Sequence, residues 1–248
     1  MVTLKTSNEL KLMGEACKLS AQALKIGGAA VEVGITTREI DSIIKKFIIS
    51  SGATPSFLGY GGFPGSACIS LNEVVIHGIP SNRKILNGDI VSIDVGAFYN
   101  GYHGDNAATY AAGEISAEAK SLMEATENSL YLAIKAAQPG ARIGDIGNTV
   151  QTYIEAQGYA VVRKFVGHGV GAKLHEDPEV PNYGTAGHGI RLMPGMTIAI
   201  EPMVNLRGED VAVLADGWTT VSKSGSLAAH FEHTIAITDN GPVIMTRA

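Results

Sequence analysis

Three carboxylates interrupt apolar segments that alternate like β-strands. Asp94 lies in DIVSIDVGAF, Glu201 in TIAIEPMV and Glu232 in HFEHTIAIT. Successive side chains of a strand point to opposite faces, so neighbouring strands can bury each carboxylate. A buried carboxylate is unfavourable unless it is paired or binds a metal, and these segments offer few basic partners. One such acid would be read as exposed or salt-bridged, whereas three of them favour a metal site.

Two further residues extend this set. Asp105 and His168 stand in the glycine-containing segments HGDN and VGHGVG. Four carboxylates and one imidazole suit two close divalent ions, which could be Mn, Fe, Co or Zn. A structural zinc site would use Cys and His, but Cys17 and Cys68 lack the required spacing. Because paired ions lower the pKa of a bound water, the expected reaction is hydrolysis.

The hydrophobic periodicity predicts helices separated by groups of strands. A capping box at Thr36 and Glu39 is expected to begin the second helix, and Ser7 is expected to cap the first. The predicted helices are 8–27, 36–52, 117–137 and 143–158. The predicted strands are 67–71, 89–98, 161–166, 197–203, 211–215, 219–222 and 230–238, and the Gly-rich segment 55–65 is expected to be a loop.

This order gives two halves, each with helices followed by strands. It favours the α+β class with an internal pseudo-repeat, although the halves share no obvious sequence identity. No segment resembles a flexible linker, so a single domain spanning residues 1–248 is expected.

The composition excludes several classes of function. The 248 residues are 45% hydrophobic and 17% charged, with a net charge of −5 and no long run of like charges. This argues against a general binder of nucleic acids or anionic membranes. Two distant cysteines indicate a reducing compartment. Because the chain lacks a signal-peptide pattern and a long apolar run, a cytoplasmic protein without a membrane span is expected.

Five motifs occur in an order that resembles the methionine aminopeptidases. They are NEVVIHGIP (72–80), DVGAFYNGYHGD (94–105), GHGVGAKLHEDPEVPNYG (167–184), MTIAIEPM (196–203) and SLAAHFEHTIAIT (226–238). The resemblance implies the pita-bread fold, in which pseudo-twofold halves form an antiparallel sheet covered by helices. It also implies removal of the N-terminal methionine from peptides and nascent proteins, with a preference for a small second residue. Ribosome contact and a monomeric state are further expectations.

The resemblance assigns a role to each ligand. Asp94 would bind one ion and His168 and Glu201 the other, while Asp105 and Glu232 would bridge the two. Glu201 would also relay a proton to the leaving amine, as a general acid–base group does. The proton would come from the metal-bound water, which becomes the metal-bridging hydroxide.

Two other histidines gain a role only through the motifs, since each would otherwise be read as a surface or core residue. His175 would hydrogen-bond the scissile amide and the developing oxyanion, and His77 would contact the substrate backbone or its first side chain. His103, His188 and His233 are interpreted as ordinary histidines. His233 is expected to point away from the face of Glu232.

A methionine side-chain pocket is the third implication. Aromatic edges and a thiol suit a polarizable thioether, although the same aromatics could equally be core residues. The expected lining residues are Tyr60, Phe63, Cys68, His77 and Trp218.

Three positions depart from the family pattern. Leu174 stands where Phe is usual, Phe57 where Cys is common, and His230 where Gln is usual. One change shrinks the pocket wall and the other enlarges it, so Phe57 and Leu174 are expected to compensate for each other.

The spacing of His168, Glu201 and Glu232 leaves no room for the helical insertion of the larger family type. Together with the expected absence of an N-terminal zinc-finger extension, this predicts the short, type I form. Two alternatives stay open. Aminopeptidase P and prolidase share the ligands but normally carry a large N-terminal domain, and some pita-bread proteins are binding modules that have lost their metals.

Overall fold

The computed structural model describes residues 1–247. The helices are α1 (Ser7–Ala29), α2 (Thr37–Ser50), α3 (Ala117–Ala136) and α4 (Ile143–Glu155). The strands are β1 (Thr54–Pro55), β2 (Ala67–Leu71), β3 (Val74–Ile76), β4 (Ile90–Tyr99), β5 (Tyr102–Ala111), β6 (Ala160–Val161), β7 (Gly167–Gly169), β8 (Glu176–Val180), β9 (Thr197–Ile200), β10 (Met203–Asn205), β11 (Val211–Val213), β12 (Thr220–Ser222), β13 (Ala228–His230), β14 (Glu232–Thr238) and β15 (Gly241–Ile244).

Capping boxes fix the starts of the first two helices. At Thr36 the hydroxyl accepts from the Glu39 N–H at 3.2 Å, and the Glu39 carboxylate accepts from the Thr36 N–H at 2.8 Å. The same pair of bonds joins Thr6 and Glu9, so the prediction that Ser7 caps α1 was wrong. A capping box needs an acid three residues after the cap, and Glu9 has that spacing from Thr6.

An antiparallel sheet of nine strands forms the centre of the molecule. Its order is β1-β4-β5-β14-β9-β7-β8, with β2 also paired to β4 and β15 to β14. Two three-stranded sheets accompany it, β13-β10-β6 and β11-β12-β3. The predicted acidic ligands therefore come from adjacent strands of one sheet.

Each pair of helices covers its own part of this sheet. One core joins α1 and α2 to β2 and β4 through side chains such as Leu24, Ile44 and Ile93. A second core joins α3 and α4 to β9 and β14 through side chains such as Leu122 and Ile235. The α+β prediction is confirmed.

Two predicted strands are each divided in two. The strand predicted at 197–203 is interrupted at Glu201-Pro202, because proline has no N–H for a ladder. The strand predicted at 230–238 is interrupted at Phe231, whose N–H donates to the Pro202 carbonyl at 3.3 Å. At this crossing the chain passes between the nine-stranded sheet and the sheet β13-β10-β6.

The other differences concern short or polar strands. The strand predicted at 161–166 is reduced to β6, and Phe165 lies beyond it with its ring edge-on to His77. β1, β3, β5, β7, β8 and β15 were not predicted, and neither was the short 3-10 helix Tyr60–Gly62 within the segment expected to be a loop. No helix within residues 1–247 combines the length and hydropathy that a bilayer crossing requires.

Candidate metal centre and substrate cavity

Strand register places four carboxylates side by side. Asp94 on β4 and Glu232 on β14 both pair with Ala107 of the intervening β5. Asp105 lies two residues from Ala107 and so shares its face. Since Ile200 pairs with His233, Glu201 follows β9 at the level of Glu232.

His168 completes this group from β7. Its Nε2 lies 3.5 Å from Oε1 of Glu201 and 3.8 Å from Oδ2 of Asp105. One donor atom each from Asp105, His168 and Glu232 all lie within 4.8 Å of one another. The five predicted ligands line one cavity.

Electrostatics inside this cluster disfavour charge without a compensating cation. Burial raises the pKa of Asp94 to about 7 and that of Glu201 to about 8. Burial, reinforced by neighbouring carboxylates, raises the pKa of Asp105 and Glu232 well above their usual range. Within residues 1–247 no lysine or arginine pairs with these acids.

These residues fit a divalent metal centre. Buried oxygens of Asp94, Asp105 and Glu232 have no hydrogen-bond partner, which is unfavourable unless a cation meets them. Oxygen donors with one imidazole suit first-row divalent ions.

The tautomer of His168 is also that of a metal ligand. Its Nδ1 lies 2.8 Å from the carbonyl oxygen of Gly169, and a carbonyl can only accept. Nδ1 therefore carries the proton and Nε2 keeps its lone pair, the arrangement that outer partners impose on ligating histidines. Burial lowers the pKa of His168 to about 3, so the ring is neutral.

Glycines on both sides of His168 let β7 fit between its neighbours. A Cβ at Gly167 would lie 2.4 Å from the Ala199 oxygen, and one at Gly169 would lie 2.3 Å from the Asp177 oxygen. A larger residue at either place would push β7 away from the cluster.

His77 reaches the cavity from a left-handed backbone position with φ of 58°, a conformation that is uncommon outside glycine. Its ring packs edge-on against Phe165 and Trp218, with centroids 5.6 and 6.1 Å away. Burial lowers the pKa of His77 to about 4, so it is a neutral side chain.

His175 stands between two other rings. Its centroid is 4.2 Å from that of His168 and 5.2 Å from that of Tyr60. The Tyr60 hydroxyl lies 2.7 Å from Nδ1 of His175. Partial burial lowers the pKa of His175.

The apolar wall of the cavity is a compact cluster. Phe57, Phe63, Cys68 and Leu174 are each less than 10% exposed and pack together, with Trp218 and Ile79 against them. Cys68 pairs with Asp94 across β2 and β4, so the wall adjoins the metal cluster. Tyr60 also lines the cavity but is 45% exposed and lies outside this cluster.

The cavity has a volume of about 320 Å³. Its lining includes Ile76, Lys164, Phe165 and Val166, which were not predicted. Phe165 could have been found as an aromatic residue close to the ligand motif at His168.

His230 is a buried neighbour of Glu201. It is 2% exposed, and its Nε2 lies 3.6 Å from Oε2 of Glu201 without a hydrogen-bond partner. The two oxygens of Glu201 thus face different imidazoles, His168 at Oε1 and His230 at Oε2.

The three remaining histidines have local partners. His233 turns away from Glu232, and its Nδ1 lies 2.9 Å from the Thr246 hydroxyl. His103 contacts the Ser56 hydroxyl at 2.8 Å, and Nδ1 of His188 lies 3.0 Å from the Ala186 oxygen.

The family model for metallopeptidase family M24 matches residues 11–239. The chain belongs to this family. It is 51% identical to methionine aminopeptidase 1 of Bacillus subtilis over 247 residues, covering 100% of both chains. It is also 51% identical to the methionine aminopeptidase of Clostridium perfringens over 246 residues, covering 99% of each. The predicted resemblance is confirmed.

Solved structures of two peptidases share the architecture. The methionine aminopeptidase of Thermotoga maritima superposes with a TM-score of 0.98 at 45% identity, with complete coverage of both chains. Prolidase from Pyrococcus furiosus gives 0.80 at 25% identity, covering 99% of this chain but 65% of the prolidase. The prediction of a pita-bread fold is confirmed.

Proposed function

We propose that this M24 peptidase hydrolyses the bond after an N-terminal methionine, preferring peptides with a small second residue. The observation that carries this proposal is the position of an apolar wall, which includes the Cys68 thiol, directly beside the cluster of carboxylates. A substrate whose apolar side chain packs against this wall would have its scissile bond at the carboxylate cluster.

Two divalent ions would be held by the five clustered residues. Asp94 would bind one ion and His168 and Glu201 the other, with Asp105 and Glu232 shared between them. Mn, Fe, Co and Zn all accept this set of donors. Bound there, the ions supply Lewis-acid activation of water and of the scissile carbonyl.

Three side chains would handle the substrate. Glu201 would carry a proton to the leaving amine, which requires a carboxyl group that exchanges protons near neutral pH. His175 would donate a hydrogen bond to the carbonyl oxygen as negative charge develops on it. His77, neutral and edge-on to Trp218, would contact the substrate backbone or its first side chain.

The wall residues would bind methionine specifically. Phe63 and Trp218 meet edge-to-face with centroids 5.2 Å apart, and thioether sulfurs favour contacts with such ring edges. The Cys68 thiol in the wall adds a polarizable sulfur next to that of the substrate methionine. The substrates would be the N-termini of peptides and nascent proteins, so the enzyme would work close to the ribosome. Its modest size favours a monomer.

A peptide comparison tests this function. We expect cleavage of Met-Ala-Ser, little cleavage of Met-Leu-Ser, and none of an Ala-Pro peptide. A chelator should abolish cleavage, and added Mn²⁺ or Co²⁺ should restore it. Preferred cleavage of the Ala-Pro peptide would instead indicate a proline-specific peptidase. If the metal-loaded protein cleaved none of these peptides, it would be a binding module. Metal analysis of protein purified without added metal would identify the ions and their number.

A further inference from the structure

Tyr60 has a contact that a pocket-wall role does not explain. Its hydroxyl lies 2.7 Å from Nδ1 of His175, while its ring is 45% exposed. The wall residues Phe63 and Cys68 are 3% and 5% exposed. The hydroxyl of Tyr60 therefore meets a histidine, whereas the wall residues meet one another.

The loop that carries Tyr60 is built to hold it in place. The Tyr60 N–H donates to the Phe57 oxygen, the Gly59 N–H to the Phe63 oxygen, and the Phe63 N–H to the Tyr60 oxygen, at 2.8 to 2.9 Å. Phe57 and Phe63 are themselves fixed in the buried wall. The tight turn depends on Gly61, whose φ is 55°. Tyr60 is thus anchored at both ends of its turn by wall residues.

The neighbouring ring shows how such contacts select a tautomer. A neutral imidazole has one N–H and one acceptor nitrogen. At His168 the Gly169 carbonyl requires the proton on Nδ1 and frees Nε2 as an acceptor. A tyrosine hydroxyl can donate, and at His175 this would produce the opposite arrangement, with Nδ1 accepting and the proton on Nε2.

We propose that Tyr60 is a positioning residue for His175: its hydroxyl donates to Nδ1 and holds the ring as the Nε2–H tautomer, turned to present that N–H to the substrate. This inference rests on the proposed hydrolytic function, in which His175 must be a donor. The two neighbouring imidazoles, whose planes are tilted by 55°, then have different tasks. His168 offers a lone pair and His175 offers a proton.

Tyr60→Phe keeps the ring and removes only the hydroxyl. Tyr131→Phe is the matched control, because Tyr131 is similarly exposed (44%) and its ring also packs against a histidine, His233. With Met-Ala-Ser and saturating metal, we expect kcat of Tyr60→Phe to fall at least about tenfold, because loss of an oriented donor weakens transition-state binding. KM should stay within about twofold, since the wall is unchanged. Tyr131→Phe should match the wild type.

A spectroscopic measurement tests the tautomer independently of activity. Nitrogen-15 NMR of the zinc-loaded enzyme, with His175 assigned through His175→Asn, should place the proton on Nε2 and show Nδ1 as a hydrogen-bonded acceptor. In Tyr60→Phe the Nδ1 signal should shift toward that of an unbonded acceptor nitrogen.

Two results would overturn the proposal. They are a proton on Nδ1 of His175 in the wild type, and unchanged kcat and spectra in Tyr60→Phe. A wild type that shows the expected tautomer but cleaves no methionine peptide would refute the proposed function and leave the Tyr60–His175 contact intact.

Discussion

Asp94 and Glu232 lie on different strands but face the same residue, Ala107, on the strand between them. The small side chain of Ala107 is 3% exposed and leaves room for both carboxylates beside it. The proposed metal centre would thus depend on a residue that contributes no ligand.

Ala107→Val should weaken metal binding. The added methyl groups would occupy space between the two carboxylates, and overpacked sites relax by moving side chains and backbone. We expect titration calorimetry to show at least about a tenfold loss of metal affinity. Ala111→Val is the matched control, because Ala111 lies on the same strand and face but at its exposed end. Normal metal affinity in folded Ala107→Val would contradict this role.

Glu201→Gln should reduce turnover far more than peptide affinity. Glutamine keeps the size of the side chain but cannot exchange a proton, and general acid–base groups contribute roughly 10²- to 10⁴-fold. Activity measured at saturating metal, beside peptide binding, separates the two effects. Glu179→Gln, an exposed acid on β8, should behave as the wild type. A fully active Glu201→Gln enzyme would remove Glu201 from catalysis.

Phe57 and Leu174 should show coupled effects on specificity. Both are buried in the same wall cluster. Phe57→Cys should enlarge the pocket and weaken discrimination between methionine and bulkier first residues, while Leu174→Phe alone should overpack it. The double variant should recover most of the wild-type selectivity, since the effects of substitutions within one packed cluster are not additive. Selectivity that is unchanged in Phe57→Cys would refute the compensation.

His230 should support Glu201 rather than act by itself. His230→Leu would leave Oε2 of Glu201 against an apolar side chain, and an unpartnered buried carboxylate is unfavourable. We expect this variant to bind metal several-fold more weakly, whereas His230→Gln, which restores a polar group, should stay close to the wild type. Equal affinity in both variants would show that Oε2 needs no polar neighbour.

The metal-free protein should lose stability as the pH rises from about 7 to 8. Burial raises the pKa of Asp94 from 3.8 to about 7 and that of Glu201 from 4.5 to about 8. Below about pH 6.5 buried histidines, whose pKa values are lowered by burial, act in the opposite direction, because the unfolded chain protonates them. Between about pH 7 and pH 8 the unfolded chain binds fewer protons than the folded chain, so rising pH favours unfolding. Urea midpoints of the metal-free protein should fall across this range.

Metal should reverse that trend. Ligands must be deprotonated to bind an ion, so metal affinity increases with pH. The stabilisation by added Mn²⁺ should accordingly be larger at pH 8 than at pH 5. A metal-free protein that becomes more stable between pH 7 and pH 8 would show that the carboxylates are not held protonated by burial.

Three of the five residues in the candidate metal cluster could be predicted because their strands are apolar around them. Asp94, Glu201 and Glu232 stand out against Ile and Val neighbours, and the helices of both halves follow from hydrophobic periodicity and a capping box. β5 was missed because its residues 102–111 are mostly polar or small. Its polar groups are satisfied by partners distant in sequence, such as Ser20, whose hydroxyl donates to the Asn106 side chain at 2.6 Å.

A local signal for β5 was nevertheless present. Asn100 and Gly101 connect β4 to β5, and both have positive φ, 49° and 85°. Asn-Gly between two strands is the strongest short-range indication of a hairpin. The contact between Tyr60 and His175 had no such signal, because it joins two loops through tertiary packing. Neither hydrophobic pattern nor turn chemistry encodes an approach of this kind.

The glycines beside His168 have a consequence for how the gene tolerates change. Neither Gly167 nor Gly169 has a side chain to offer the metal, yet each is pressed against a carbonyl of the next strand. In a saturation-mutagenesis library, these two positions would be as depleted of variants as the ligand between them. A map of mutational intolerance would therefore mark the glycines that let β7 fit between its neighbours as clearly as the residues of the metal cluster.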